Sequence, residues 1–303
     1  MSAPSAPSAP STASPTSRRS GRPTSLPPVT YSSASSSAPT GSAPQLPRGG
    51  RTLFPGNRVV AYYGAAHSAG LGVLGHGTPD EIWPRLAAQA VQYGGHGATV
   101  LPAYELIVTV ANATPGPDGL YRTRTSDDSI QTYLNSARAN RALLILDIQP
   151  GRSDFLTESK VYEKWMEQPD VALALDPEWR MGPEDVPGQR IGSVDASEIN
   201  ATAAWLAGIV AAHNLPQKLL LIHQFTNGMI RDKQTLTFPA DLAPAINMDG
   251  FGTQAAKLQK YQLFAADTRF PMGLKLFYTQ DIGIMSPAQV SALSPAPAII
   301  EYQ

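Results

Sequence analysis

Eight apolar runs, at residues 58–63, 98–107, 142–149, 171–175, 218–224, 245–249, 273–281 and 298–303, set the rhythm of the chain. They are continuous where a half-exposed strand would alternate, so they predict strands buried on both faces, as in a parallel sheet covered by helices. The intervening stretches carry helical period. Thr78-Pro-Asp-Glu81, Asp195-Ala-Ser-Glu198 and Ser286-Pro-Ala-Gln289 read as capping boxes, in which a side chain at each helix start satisfies a free backbone N–H. They predict helices to about Tyr93, to about His213, and a short one after Ser286. Further helices are expected from Ser126 or Asp127 to about Arg141, over Phe155–Glu167, near Gly228–Leu236, and over Thr253–Ala266. Pro102 predicts a bulge or an early end to the second strand, which would put Glu105 at its terminus. Strands alternating with helices give an α/β fold, a single (β/α)8 TIM barrel spanning 57–303. An open doubly wound sheet is the runner-up, and the C-terminal strand, able to close onto the first, favours the barrel.

Every run ends in polar or aromatic residues, and in such a barrel those ends converge on one mouth. The convergent set is Tyr63, Glu105, Asp147, Gln149, Asp176, Glu178, Trp179, His223, Gln224, Asp249, Tyr278, Gln280, Asp281 and Glu301. The fourth run ends abruptly in Leu175-Asp-Pro-Glu-Trp179. In an extended chain Asp176 and Glu178 would project to one side with Cα atoms roughly 6.6 Å apart. Paired carboxylates with aromatic rings nearby suit glycoside hydrolysis, where one acid protonates the leaving oxygen and another acts as base or nucleophile. Glu178, beside the apolar body of Trp179, is the expected proton donor, with Asp176 orienting it. Asp147, Asp249, Asp281 and Glu301 are the candidates for the second carboxylate, of which Asp147 or Asp249 is taken as the base or nucleophile. The competing reading makes Asp176 a turn cap, leaves Glu178 solvated, assigns Asp249 to an Asp-Gly turn and makes His223 a satisfied structural histidine. The remaining mouth residues would bind substrate.

Charge and composition narrow the partners. The net charge is −1, but Arg18, Arg19, Arg22 and Arg48 all lie in the first 50 residues, which hold no acid. Without them 19 basic face 24 acidic residues. An acidic body argues against nucleic acid, which needs a concentrated basic surface. No apolar run reaches the roughly 18 to 20 residues of a membrane span. There is no cysteine, and the five histidines show no zinc spacing, so neither metal nor cofactor is expected, with a magnesium or calcium site built of strand-end carboxylates as the alternative. Residues 1–51, rich in Ser, Ala and Pro and opening on a Ser-Ala-Pro repeat, read as a disordered linker or stalk. No apolar signal segment precedes them. Stalks of this kind favour an exported or envelope-tethered monomer, with a cytosolic protein carrying an inert arm as the other reading.

Leu175-Asp-Pro-Glu-Trp179, Ile191-Gly-Ser-Val-Asp195, His223-Gln-Phe-Thr226, Met248-Asp-Gly-Phe-Gly252 and Ile300-Glu-Tyr-Gln303 resemble a group of uncharacterised exported bacterial proteins, often labelled lipoproteins. More distantly, the Asp-X-Glu ending the fourth strand is similar to that of family 18 chitinases and family 25 lysozymes. The resemblance implies a glycosidase-like barrel with Glu178 as catalytic acid. Val171-Ala-Leu-Ala-Leu175 replaces the spaced aspartates of the chitinase pattern, and no cysteine is present to carry a lipid.

Overall fold

The computed structural model describes residues 43–95 and 97–303. Residues 1–42, most of the expected stalk, lie outside the described residues. Eight parallel strands form the barrel: β1 Asn57–Gly64, β2 Thr99–Ala111, β3 Leu143–Ile148, β4 Val171–Leu175, β5 Lys218–Gln224, β6 Leu242–Met248, β7 Met272–Leu276 and β8 Ile299–Tyr302. Each pairs with its sequence neighbours, and closure is direct, with Val59 beside both Ile299 of β8 and Leu101 of β2. The helices are α1 Pro79–Val91, α2 Asp127–Ala139, α3 Phe155–Lys160, α4 Glu163–Met166, α5 Ala196–Ala212, α6 Gln254–Ala266 and α7 Pro287–Ser291.

Local chemistry explains most boundaries. Thr78 and Ser286 form the expected capping boxes with Glu81 and Gln289. The third box does not form. Asp195 makes no cap bond, because its carboxylate accepts from Arg231 while Glu198 accepts from Arg180 and from the Phe155 N–H. The span expected as one helix over Phe155–Glu167 is two short ones. Between β5 and β6 the expected helix is replaced by a two-residue strand, Ile230–Arg231, paired with Val194–Asp195, and a 3-10 turn at Lys233–Thr235.

Pro102 neither bulges β2 nor ends it. The Thr99 N–H donates to Gly56 O on the β1 side, so by strand alternation position 102 would donate toward β3. Pairing with β3 begins only at Ala103. The proline therefore removes a donor where no acceptor strand has started. The register shift falls later, between Ile107 and Thr109. Beyond it β2 runs out of the barrel and pairs antiparallel with Arg122–Arg124. Arg122 and Arg124 close on the buried Glu158 at 2.9 Å each.

The barrel interior is apolar at its base and polar at its mouth. Val59, Leu101, Leu143, Leu219 and Ile299 fill the lower part with a layer of alanines, Ala61, Ala103, Ala174 and Ala245, above. Leu46 and Leu53 belong to the same cluster. Residues 43–51, which composition assigns to the stalk, are thus part of the folded body. The Leu53 N–H donates to Gln217 Oε1 at 2.9 Å, and Arg51 donates to the carbonyls of Pro44, Asn214 and Leu215. Leu46→Ala is expected to cost about 2–5 kcal/mol, the range for deleting a buried leucine side chain. Urea unfolding measures it, and a linker residue would show no change.

Candidate active site

Side chains alternate along a strand, so the apolar interior fixes which positions above it point inward. One step past the alanine layer lie Tyr63, Glu105, Asp147, Asp176, His223, Asn247, Lys275 and Glu301, one from each strand or its immediate end. All are at most 2% exposed. One further step of two gives Ile107, Gln149, Glu178, Phe225, Asp249, Phe277 and Gln303, and all seven line a pocket of about 180 Å³. Tyr63, Asp176 and Lys275 reach it from below. Leu71, Trp179, Gly250, Phe251 and Gln280 complete its lining. That volume holds about six waters, or one ring-sized group. The floor is ionisable and the walls are aromatic.

His223 organises the deeper ring. Its Nε2 lies 2.9 Å from Glu105 Oε1 and its Nδ1 lies 3.1 Å from Asp249 Oδ2. Lys275 Nζ sits 3.1 Å from Asp249 Oδ2, 3.0 Å from Glu301 Oε1 and 3.3 Å from the centre of the Tyr63 ring. Tyr63 donates to Asp147 at 3.2 Å and accepts from Gln149 Nε2 at 3.0 Å. Six carboxylates, of Glu105, Asp147, Asp176, Glu178, Asp249 and Glu301, therefore share two cations. Glu105, His223 and Glu301 bring one potential metal-ligand atom each within 4.8 Å of one another, and Asp249 on the opposite nitrogen would orient the imidazole. These three residues could hold a divalent cation, although none of them lines the pocket.

The excess of acid is relieved by protons. Burial, and then the charges of Asp176 and Asp249, push Glu178 up to about 8. Burial and Glu105 push Glu301 up to about 8. Burial raises Asp176 to about 6, and burial with Asp176 raises Asp147 well above the carboxylate range. Asp249 goes the other way. Burial would raise it, but Lys275 and His223 together hold it below its ordinary value. For His223, burial is outweighed by Glu301, Asp249 and Glu105, so the imidazolium persists well above its usual range. The site thus separates a protonated acid, Glu178, from an ionised one, Asp249.

These shifts predict an unusual stability profile. Groups whose folded pKa is raised, here Glu178, Glu301, Asp176 and His223, stabilise fully below their unfolded values and lose that contribution as pH rises through the folded ones. For the two glutamates the window runs from about 4.3 to about 8. Asp249 acts in the opposite sense: its contribution is present above about pH 4 and is lost only as pH falls below that value. Melting temperature is expected to fall by about 5 °C or more from pH 5 to pH 8. Scanning calorimetry at constant ionic strength measures it, and a flat or rising profile would contradict the assigned protonation states.

The expected residues fall into three groups. Tyr63, Gln149, Asp176, Glu178, Trp179, Asp249 and Gln280 line the pocket; Glu105, Asp147, His223 and Glu301 lie beneath it. Gln224, Tyr278 and Asp281 do not join them. Gln224 shares the outward parity of Leu220 and Ile222 and donates to the carbonyls of Thr226 and Asn227. β7 ends at Leu276, so Tyr278 lies in the following turn, stacked on Tyr302. Asp281 is buried against Lys257 at 3.1 Å and accepts from the N–H groups of Gly252 and Phe277. Asp176 and Glu178 reach the pocket by a route other than the expected extended one. The strand stops at Leu175, and Asp176 Oδ1 accepts from the Glu178 N–H to start a 3-10 turn over Pro177–Trp179. Asp176 is both a turn cap and a wall of the site.

Lys275 and Asn247 are the principal additions. Both stand on the inward parity of strands whose other inward residues are small, Gly273 in β7 and Ala243 and Ala245 in β6. A lysine on the inward parity of an apolar strand was the available signal, and Gly273 leaves room for the Asn247 side chain beside it, whose Oδ1 a Cβ would approach to 2.5 Å. The glycine-rich segment after β1 also finds its reason. At Gly72 (φ +124) a Cβ would lie 2.5 Å from Tyr63 O, so the segment crosses the strand end at a distance only glycine permits.

No family model and no curated protein matches the chain. Among solved structures, the GH20 β-N-acetylhexosaminidase from Streptomyces coelicolor A3(2) is similar at 11% identity and a TM-score of 0.37, over 81% of this chain and 59% of that one. The chain thus spans about three fifths of the length of that enzyme.

Proposed function

We propose that the protein is a glycoside hydrolase that acts on a polysaccharide of the cell envelope or its surroundings. The observation that carries this reading is the pairing, in one aromatic-walled pocket, of Glu178, protonated up to about 8, with Asp249, ionised beside Lys275 and His223. Glycosidic cleavage requires that division of labour. Glu178 donates its proton to the leaving oxygen. Asp249 is anchored through Oδ2, and its Oδ1, which makes no hydrogen bond among the described residues, faces the bond as base or nucleophile. Asp147 suits that role less well, because it lies beneath the pocket and holds Tyr63. Asp176 acts on Glu178 rather than on substrate, raising its pKa and fixing its backbone. Trp179, Phe251 and Phe277 offer faces for sugar rings.

The Asp-X-Glu at the end of β4 supports Glu178 as the acid, as in the family 18 and 25 enzymes. The substrate-assisted route of family 18 is not carried over, because Val171-Ala-Leu-Ala-Leu175 replaces its spaced aspartates. The composition of residues 1–51 supports an exported, tethered monomer. The test is reducing-end release from a panel of wall and capsular polysaccharides. Release by the wild type that disappears in Glu178→Gln carries the reading. Binding of the same polysaccharides without release by either protein would make the barrel a glycan-binding module, the role favoured by the ties of Glu105 and Glu301 to His223 and Lys275.

A further inference from the structure

A second cavity, of about 420 Å³, opens beside the first and shares Gln280 and Gln303 with it. Its chemistry is opposite. Where the first has Asp176, Glu178 and Asp249, the second is lined by Arg85 and His76 and by no acidic side chain. Both side chains are exposed, and neither forms an ion pair among the described residues. Residues 1–42 contain no Asp or Glu that could supply one. The nearest sequence candidate is Glu81, one turn before Arg85 on α1. Its carboxylate is committed to the Thr78 capping box, accepting from Thr78 N at 2.8 Å and Thr78 Oγ1 at 2.9 Å.

The cavity is also built to receive a ring. Tyr278 lines it, 40% exposed, and is held from behind by Tyr302, stacked at 5.3 Å, and by hydrogen bonds to Tyr62 and Gln89 at 3.3 Å each. The Arg85 guanidinium is itself braced over the Tyr62 ring at 6.0 Å. Ala69, Gly70 and Gly72 of the close-packed glycine segment also line it, so backbone and small side chains leave the space open. An aromatic platform, a free guanidinium with bidentate geometry and a shared border with the acid pair make one cleft with an acidic end and a basic end.

We propose that this second cavity is a subsite for an anionic sugar, one bearing a carboxylate or phosphate that Arg85 and His76 receive while the ring stacks on Tyr278. Resting on the glycosidase reading, it narrows the substrate to an acidic glycan whose charged unit lies next to the bond presented to Glu178. A charged unit in the first pocket would face Asp249, so the cleft also sets the polarity with which such a chain enters. Gln280 and Gln303, on the border, can hydrogen-bond the linking sugar hydroxyls.

The test is equilibrium binding to the full chain, followed by protein NMR, of glucose, glucuronic acid and glucose 6-phosphate, which differ only at C6. The wild type is expected to bind at least one anion about five- to tenfold more tightly than glucose, and Arg85→Gln to bring the anion and glucose affinities together. Glucuronic acid alone showing the preference assigns the subsite to uronic acids; glucose 6-phosphate sharing it assigns the subsite to phosphorylated glycans as well. Equal affinity for all three sugars, no measurable anion binding, or a preference that survives Arg85→Gln would overturn the proposal. None of these readings needs turnover. Failure to hydrolyse any glycan therefore leaves the subsite standing, and loss of the anion preference leaves the glycosidase reading standing for neutral substrates.

Discussion

Glu178→Gln is expected to lower kcat on any polysaccharide the wild type cleaves by about 10²- to 10⁴-fold, the contribution of a positioned general acid. Glutamine keeps the shape and the pocket lining but cannot give up a proton. The pH profile identifies the role more sharply than the loss itself. Glu178 must be protonated to act, so activity should fall along a basic limb near its pKa of about 8. Asp176 is the largest charge effect raising that value. Replacing it with asparagine removes the neighbouring negative charge while retaining an oxygen to cap the 3-10 turn. The basic limb should then move to lower pH, with the acidic limb set by Asp249 little changed. A limb that stays in place in Asp176→Asn would remove Glu178 from the acid role even if Glu178→Gln were inactive.

Lys275→Met is expected to destabilise the protein by about 3–5 kcal/mol, the loss seen when one partner of a buried ion pair is removed. Lys275 is 2% exposed and holds both Asp249 and Glu301. Methionine approximates its volume and not its charge. Asp249 would then keep its hydrogen bond to His223 and the longer-range charges of Lys257 and Lys260, and Glu301 only Asn247 and the more distant imidazole. The deficit should grow as pH rises and the remaining carboxylates ionise. Urea unfolding at pH 5 and pH 8 measures both the loss and its slope. A second substitution, Glu301→Gln, should restore part of the stability by removing one unpaired charge. No loss in Lys275→Met, or no rescue, would mean that the ring beneath the pocket is held by something other than this lysine.

The strands were legible because both of their faces are buried and the apolar runs are unbroken. The facing of individual residues was less visible, since a strand apolar on both sides has no polar alternation. An alternation of volume was present in its place. In Val171-Ala-Leu-Ala-Leu-Asp176 the small residues point into the barrel and the large ones out toward the helices, which puts Asp176 inside. The same parity would have taken Gln224 out of the site and put Lys275 in. Residues after strand ends were harder to place. Tyr278 and Asp281 follow a strand that stops at Leu276, and nothing in their local sequence distinguishes a turn from two more paired residues. Asp195-Ala-Ser-Glu198 failed as a capping box for a related reason: Arg180 and Arg231, each distant in sequence, took the carboxylates.

The chain enters the fold at the base of the barrel and leaves it at the mouth. Leu46 and Leu53 close the bottom, whereas Gln303 lines the pocket and its backbone bonds both Leu276 and Tyr278. Handling of the protein inherits that polarity. A fusion partner or surface linkage joined ahead of residue 43 attaches on the side away from the carboxylates and leaves the cleft open to a polymer. A tag appended after Gln303 starts in the wall shared by the two cavities and competes with substrate for the same space.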